Sequence, residues 1–372
     1  MFDFFWTSVS LFWPAGLACF VASVLLVISK SKHLHFTARA FAGSAVQCTH
    51  LNPTPRVGGV GLMLGLVATL FIVPNVLPST ETDSLSMMRW IIVAALPVFL
   101  AGLAEDVGIG ASPKVRLMGA MVSGALMIWF TGQTIHSVGI PILDPVMGFL
   151  PVSILFTVFA TAGVSHSFNL VDGLNGLAIG ISLVAATALA LIAQSTNDIL
   201  VAYLAGAVVI VVVGLLAVNY PFGSLFLGDA GAYTLGHVIA WIAVLLMARN
   251  PEISPWAVLL AVFWPIMDTL AAILRRTVNK APADAPDKMH FHHVVLRVIQ
   301  RKLGRGHSLS FANPLATAFM FPLFLIPSFL AVIAPSNNVL GFIFFMLCAL
   351  GYSASRAGMI RKFRRLTRAR RQ

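Results

Sequence analysis

Apolar runs of about 20 residues, separated by short polar or basic stretches, follow one another along almost the whole chain; a run of that length crosses a hydrocarbon core about 30 Å thick. They fall approximately at 5–29, 57–78, 89–104, 115–131, 149–168, 174–194, 199–218, 231–248, 255–274, 311–334 and 337–355. Each is apolar on every side and shows little period-2 alternation. That predicts helices, which satisfy their own backbone groups in lipid, over the strands of a membrane barrel. The expected fold class is therefore all-α: a polytopic membrane bundle of about 11 transmembrane helices.

Composition sharpens this picture. With 58% hydrophobic and 10% charged residues and a mean hydropathy of +0.91, the 372-residue chain cannot fold around a soluble core without a greasy surface. No repeat or soluble domain interrupts it, so residues 1–372 form one transmembrane domain with a polar loop at 275–310 and a basic tail at 356–372. All Lys and Arg except Arg89 and Arg249 fall on one side if the N-terminus lies outside and the C-terminus in the cytoplasm, as the retention of basic loops requires. The first run lacks a basic leader and carries Asp3 ahead of it, so it is expected to be a retained helix. The net charge of +11 sits beside membrane spans, which points to anionic membrane lipids and not to nucleic acid. Cys19, Cys48 and Cys348 show no metal or redox spacing.

Against this charge-poor background the 13 acids stand out. Glu105, Asp106, Asp172, Asp229, Asp284 and Asp287 fall at same-side ends of apolar runs, and Asp268 lies inside a run about two turns from that side. Adjacent carboxylates such as Glu105 and Asp106 repel each other; they can hold a divalent ion or act as a base, or be neutralised as a solvated pair by Lys114 and Arg116. In His166-Ser167-Phe168-Asn169-Leu170-Val171-Asp172-Gly173-Leu174-Asn175-Gly176, a helix would put Asn169, Asp172 and Asn175 on one face, offering oxygens to a hard cation such as Mg²⁺. The alternative is a turn with Asp172 and Asn175 as caps. In Gly228-Asp229-Ala230-Gly231, Asp229 is placed to cap the next helix, to hold a cation, or both. Asp287-Lys288-Met289-His290-Phe291-His292-His293, in a basic loop without a cysteine partner, suits an anionic ligand better than zinc.

Together with Pro53-Thr54-Pro55-Arg56-Val57-Gly58-Gly59, these stretches resemble, in order over residues 45–300, the polyprenyl-phosphate N-acetylhexosamine-1-phosphate transferases of glycosyltransferase family 4. These are bacterial plasma-membrane enzymes with a cytoplasmic active site. The resemblance implies transfer of a sugar-1-phosphate from a UDP-amino sugar to undecaprenyl phosphate with release of UMP, at the start of envelope polysaccharide synthesis. It also implies Mg²⁺, with Mn²⁺ as the alternative ion, and a homodimer as an assembly to test. By this resemblance Asn169 and Asp229 would ligate the metal. Glu105, Asp106, Asp172 and Lys114 would do the chemistry, and Arg56, Asn175, Asp268, Asp287, Lys288, His290, His292 and His293 would bind substrate. Arg275, seven residues on from Asp268 on the same helical face, marks a structural tie as the other use of Asp268. The sequence departs from the family at Glu105, His166, Asn175 and Lys288, where aspartate, asparagine, an acid and arginine are usual, and it lacks the usual acidic pattern at 41–47. Two other classes compete: a relative without catalysis that binds lipid phosphate or a partner, and a transporter with polar residues lining a pathway.

Overall fold

The computed structural model describes residues 10–37, 53–76, 82–280, 289–303 and 309–369, so Asp284, Asp287 and Lys288 lie outside the described residues. All regular structure among the described residues is helical. In chain order the helices are α1 Trp13–Ile28, α2 Lys30–Thr37, α3 Gly58–Val76, α4 Thr82–Asp106, α5 Pro113–Thr131, α6 Asp144–Met147, α7 Leu150–Val171, α8 Leu177–Ser195, α9 Ile199–Asn219, α10 Gly228–Arg249, α11 Pro255–Ala261, α12 Phe263–Val278, α13 Phe291–Leu303, α14 Leu309–Ile333 and α15 Asn338–Ala369.

Every expected apolar run coincides with one of these helices or with a bent pair. Among the described residues seven helices are long and apolar enough to cross a membrane, and up to nine spans result if each bent pair counts as one. The chain is thus a polytopic membrane protein. Side chains such as Phe71, Trp129, Phe159 and Phe329 are exposed on its outside, where a soluble protein would carry polar groups. α10 forms the axis: 94% of its apolar stretch is buried inside the bundle, against 11% for the peripheral α15.

Three expectations change. The run at 255–274 is not a straight helix but α11 and α12, bent by 86°. Near its start Ser254 Oγ lies 3.0 Å from Asn338 Oδ1 and Trp256 Nε1 donates to Gly139 O (3.3 Å), whereas Asp268 in α12 bonds the histidine segment at the other end. Second, the histidine segment is only partly a loop, because the amphipathic sequence from Phe291 folds as α13 with Phe291, Val295 and Val298 inward. Third, the basic tail continues α15 as helix to Ala369.

Small residues set where helices meet. A Cβ on Gly59 would lie 2.9 Å from the Ala230 carbonyl carbon, and one on Gly102 would lie 2.5 Å from Ala230 N. Hence α3 and α4 both close on the first turn of α10, which only a glycine backbone permits at that distance.

Candidate active site

The site is built around the first turn of α10. The Pro55–Gly59 stretch lies alongside residues 226–227 through three backbone bonds: Phe226 N to Pro55 O (2.9 Å), Gly58 N to Phe226 O (2.9 Å) and Gly59 N to Leu227 O (2.8 Å). This pairing holds Arg56 beside the helix start. Gly228 takes φ +74°, and a Cβ there would run into Arg56 O and Asp106 Oδ2. The exposed N–H groups of the turn are met by Asp106 from the end of α4: Oδ1 accepts from Asp229 N (2.9 Å) and Oδ2 from Ala230 N (2.8 Å). The expectation that Asp229 caps α10 is therefore corrected. The cap is supplied by a carboxylate 123 residues away in sequence, and the Asp229 side chain is left for other partners.

Those partners are two arginines and an amide. Arg56 Nη2 (3.0 Å) and Asn169 Nδ2 (3.1 Å) donate to Asp229 Oδ1, and Arg116 Nη1 donates to Oδ2. Arg56 also lies 3.8 Å from Asp106 through Nε. Burial alone would lower the Arg56 pKa; the charges of Asp229 and Asp106 outweigh it and raise it. Arg116, read from sequence only as a neutralising neighbour of the Glu105–Asp106 pair, reaches this centre from the first turns of α5. Its guanidinium also sits 6.0 Å from the centre of the Tyr233 ring, whose edge faces His166 (4.7 Å). The signal that could have found Arg116 is its place on an apolar run, where a cation needs an acidic partner.

Asp172 ends α7 as its C-cap, one turn beyond Asn169. Burial pushes its carboxyl up to about 7; Arg56 pulls it down and Asp229 pushes it further up. Glu105 Oε2 accepts from Ala111 N (2.8 Å) and so braces the turn after α4. Lys114 is exposed on the first turn of α5.

Asn175 departs from its expected place. α7 ends at Val171, so Asn175 does not share a helix face with Asn169 and Asp172. It is 3% exposed; its Nδ2 donates to Pro221 O (2.9 Å), its N–H to Asn313 Oδ1 (2.8 Å), and its carbonyl accepts from Thr317 Oγ1 (2.7 Å). These bonds tie the turn before α8 to α14, a structural task.

The histidines reach the site from the start of α13. A Cβ on Gly173 would collide with His292 Nε2, so His292 lies directly against the Asp172–Gly173 turn. Burial lowers the His292 pKa well below its ordinary value, which keeps the ring neutral. The His292 and His293 rings lie 4.1 Å apart, and those of His290 and His292 5.7 Å apart. Asp268, 1% exposed, binds His290 Nδ1 through Oδ2 (2.7 Å) and accepts from Phe291 N (3.0 Å) and Tyr352 Oη (2.7 Å) through Oδ1. Its oxygens hold the histidine segment and α15, so the structural tie expected as its other use is present, with His290 as a partner.

Among the described residues no group of three or more His, Cys, Asp and Glu is arranged to hold a metal ion. Asn169 Nδ2 lies 3.1 Å from Asp229 Oδ1, so turning the amide over would bring two hard oxygens side by side, and Mg²⁺ commonly takes one or two protein oxygens with water and substrate phosphates. The chemistry of these two side chains is compatible with that ion.

Comparison with known proteins agrees with this geometry. Residues 88–247 match the model of glycosyl transferase family 4, a span from α4 to α10 that contains Asp106, Arg116, Asn169, Asp172 and Asp229. The decaprenyl-phosphate N-acetylglucosaminephosphotransferase of Mycobacterium tuberculosis (strain CDC 1551 / Oshkosh) is 30% identical over 290 residues, 70% of this chain and 68% of the relative. The chain belongs to this family. A probable undecaprenyl-phosphate N-acetylglucosaminyl 1-phosphate transferase of Bacillus subtilis (strain 168) is 29% identical over 303 residues, 80% of each chain. The undecaprenyl-phosphate alpha-N-acetylglucosaminyl 1-phosphate transferase of Escherichia coli (strain K12) is 26% identical over 253 residues, 67% of this chain and 66% of the relative. Within the glycosyl transferase family 4 match lies most of the acid and cation centre, whereas Arg56, Asp268 and the histidines fall outside it.

Proposed function

We propose that this protein is a membrane phosphoglycosyl transferase that moves N-acetylhexosamine-1-phosphate, with N-acetylglucosamine favoured by the names of its relatives, from a UDP-sugar to a polyprenyl phosphate and releases UMP. One observation carries it: Arg56 and Arg116 converge on Asp229, beside Asn169 and Asp172, at one end of a membrane bundle. Two anions, a lipid phosphate and a nucleotide diphosphate, must meet in this reaction. Fixed cations at a water-poor surface reduce their repulsion.

An oxygen of the polyprenyl phosphate attacks the phosphorus that bears the sugar. The bond from that phosphorus to the oxygen of the nucleotide's own phosphate breaks, and UMP leaves with that electron pair. Asn169 and Asp229 would hold Mg²⁺, which when bound supplies positive charge to the diphosphate and its leaving oxygen. Arg56 and Arg116, which flank the Asp229 carboxylate, would supply positive charge to the incoming phosphates. Asp172 faces Arg56 from the α7 terminus and serves to position the lipid phosphate. Its rise to about 7 lets it exchange a proton with a phosphate near neutral pH. Asp106 acts through the α10 turn that carries Asp229. Neutral His292, held against Gly173, and His290, with Nδ1 committed to Asp268, would serve the nucleotide-sugar side, as the family resemblance implies.

The topology belongs to the same proposal: eleven crossings of the bacterial inner membrane, N-terminus outside, site on the cytoplasmic face. The seven long spans, the two bent pairs and the shorter apolar α3 support ten of these crossings, and the 19-residue α5 is taken as the eleventh. The distribution of Lys and Arg, with only Arg89 and Arg249 on the outer side, supports the orientation.

Purified protein incubated with undecaprenyl phosphate, Mg²⁺ and a panel of UDP-sugars should release UMP and form a lipid-linked product. Chelation of the metal, or Asp229→Asn in a folded variant, should abolish release. Absence of turnover with every donor sinks the reaction; turnover unaffected by chelation sinks the metal assignment.

A further inference from the structure

The far end of α15 does not trail from the membrane but lies along the histidine helix. Tyr352, 4% exposed, donates from Oη to Asp268 Oδ1 (2.7 Å), the same buried carboxylate that binds His290 Nδ1 and Phe291 N. The Tyr352, Trp264 and Phe291 rings close around that contact, with Trp264 5.3 Å from Tyr352 and 5.2 Å from Phe291. One turn on, Arg356 Nη2 donates to Met289 O (3.4 Å). Two turns further, the Phe363 ring lies under the Arg301 guanidinium (4.0 Å) and near that of Arg297 (6.0 Å). Residues 352, 356 and 363 are spaced by four and seven, which places them on one helical stripe. That whole stripe of α15 grips α13 and the segment just before it.

We propose that Tyr352 is a positioning residue for the nucleotide sugar: α15 acts as a splint that, through Tyr352 Oη and the Asp268 carboxylate, fixes His290 and the first turn of α13. This rests on the transferase reading given above. The logic is that of an outer-shell partner that orients a ligand-contacting histidine, where loss of the partner leaves the fold but loosens the contact. A carboxylate that accepts from both a phenol and an imidazole has its position set from two sides. Without the phenol it is free to swing with the histidine.

The test uses full-length protein in lipid nanodiscs with Tyr352→Phe, which deletes one oxygen and keeps the ring packing. Hydrogen exchange should rise in peptides covering 289–297 and stay unchanged in those covering the start of α10, with or without substrate. The KM for UDP-N-acetylglucosamine should rise about tenfold while the KM for undecaprenyl phosphate stays the same, the signature of a loosened donor contact. Phe363→Ala, remote from Asp268, should move both readouts the same way by a smaller factor, and it serves if Tyr352→Phe fails to fold. Unchanged exchange at 289–297 overturns the splint. A lower kcat with both KM values unchanged means a smaller folded fraction and also overturns it. If wild-type protein turns over no UDP-sugar, the transferase reading fails, and local exchange alone then decides the splint.

Discussion

Asp106→Asn separates two readings of the acid pair at the end of α4. Both carboxylate oxygens of Asp106 are committed to the first turn of α10, at 2.9 Å from Asp229 N and 2.8 Å from Ala230 N, and the side chain is buried. Bonds to a charged acceptor contribute about 1.5–3 kcal/mol each, and a buried donor left unpaired costs about 1–3 kcal/mol. An asparagine keeps one acceptor and turns an NH₂ toward the second N–H, so it loses roughly one such bond and strands one donor. It also removes a negative charge from a helix N-terminus, worth about 0.3–1 kcal/mol. The pair with Arg56 at 3.8 Å adds little. We therefore expect a loss of about 3 kcal/mol, read as a lower unfolding temperature by intrinsic tryptophan fluorescence in detergent, together with reduced turnover because Asp229 shifts with its turn. If Asp106 were instead a free general base, the variant would unfold like wild type and lose at least about a thousandfold in kcat. That pair of results would refute the capping role.

Four further outcomes follow from the structure. With its carboxyl raised to about 7, Asp172 is increasingly protonated below that pH, so kcat/KM should fall about tenfold per unit on the acid side, and Asp172→Asn should flatten that limb; a profile unchanged in the variant would remove Asp172 from the proton chemistry. The same shift means that the folded state binds the Asp172 proton more tightly than the unfolded chain, so this group's contribution to stability is lost as pH rises from about 4 to about 7, a slope that Asp172→Asn should erase from the unfolding temperature. Asn175→Ala, which strands Pro221 O, should cost about 1–3 kcal/mol in unfolding while both substrate KM values stay unchanged in the folded fraction; a selective rise in donor KM would return Asn175 to the substrate. Gly228→Ala should cost more than about 2 kcal/mol, since it adds left-handed strain to a collision with Arg56 O and Asp106, and normal expression with wild-type turnover would contradict the packing described at α10.

Much of this was legible because lipid imposes a simple code. Apolar runs located the helices, since a chain in hydrocarbon has to close its backbone bonds locally. Acids at run ends located the site, because few other uses justify them there. What the sequence did not record was the partner of each acid. Asp229 looked like the cap of α10 because it sits in the first turn, yet the N–H groups belong to Asp106, which α4 brings from 123 residues away. Asn175 looked like a neighbour of Asn169 because spacing assumed that α7 continued, whereas the helix stops at Val171. Arg116 looked like a neutralising neighbour of Glu105 and Asp106 because its bond to Asp229 spans 113 residues, information that no local spacing contains.

Two acids of the candidate site share one construction. Asp106 receives the first N–H groups of α10, and Asp268 receives the first N–H of α13 together with His290. Each comes from a different helix and is buried, and each secures the start of an element whose next residues carry the candidate chemistry. A helix start at the edge of a bilayer has unsatisfied donors and little water to meet them. A local serine or asparagine would satisfy one of these donors, but it would move with the turn it caps. A carboxylate from a distant helix satisfies them and also ties the turn to the bundle, so Asp229 and His290 are held relative to each other through α4, α10, α12 and α13. The acids that look most catalytic by type thus fix the geometry in which Arg56, Arg116, Asn169 and the histidines meet phosphate. This reasoning ranks their substitutions: conservative changes at Asp106 and Asp268 should reduce stability and binding geometry together, whereas changes at Arg116 should lower turnover with the fold intact.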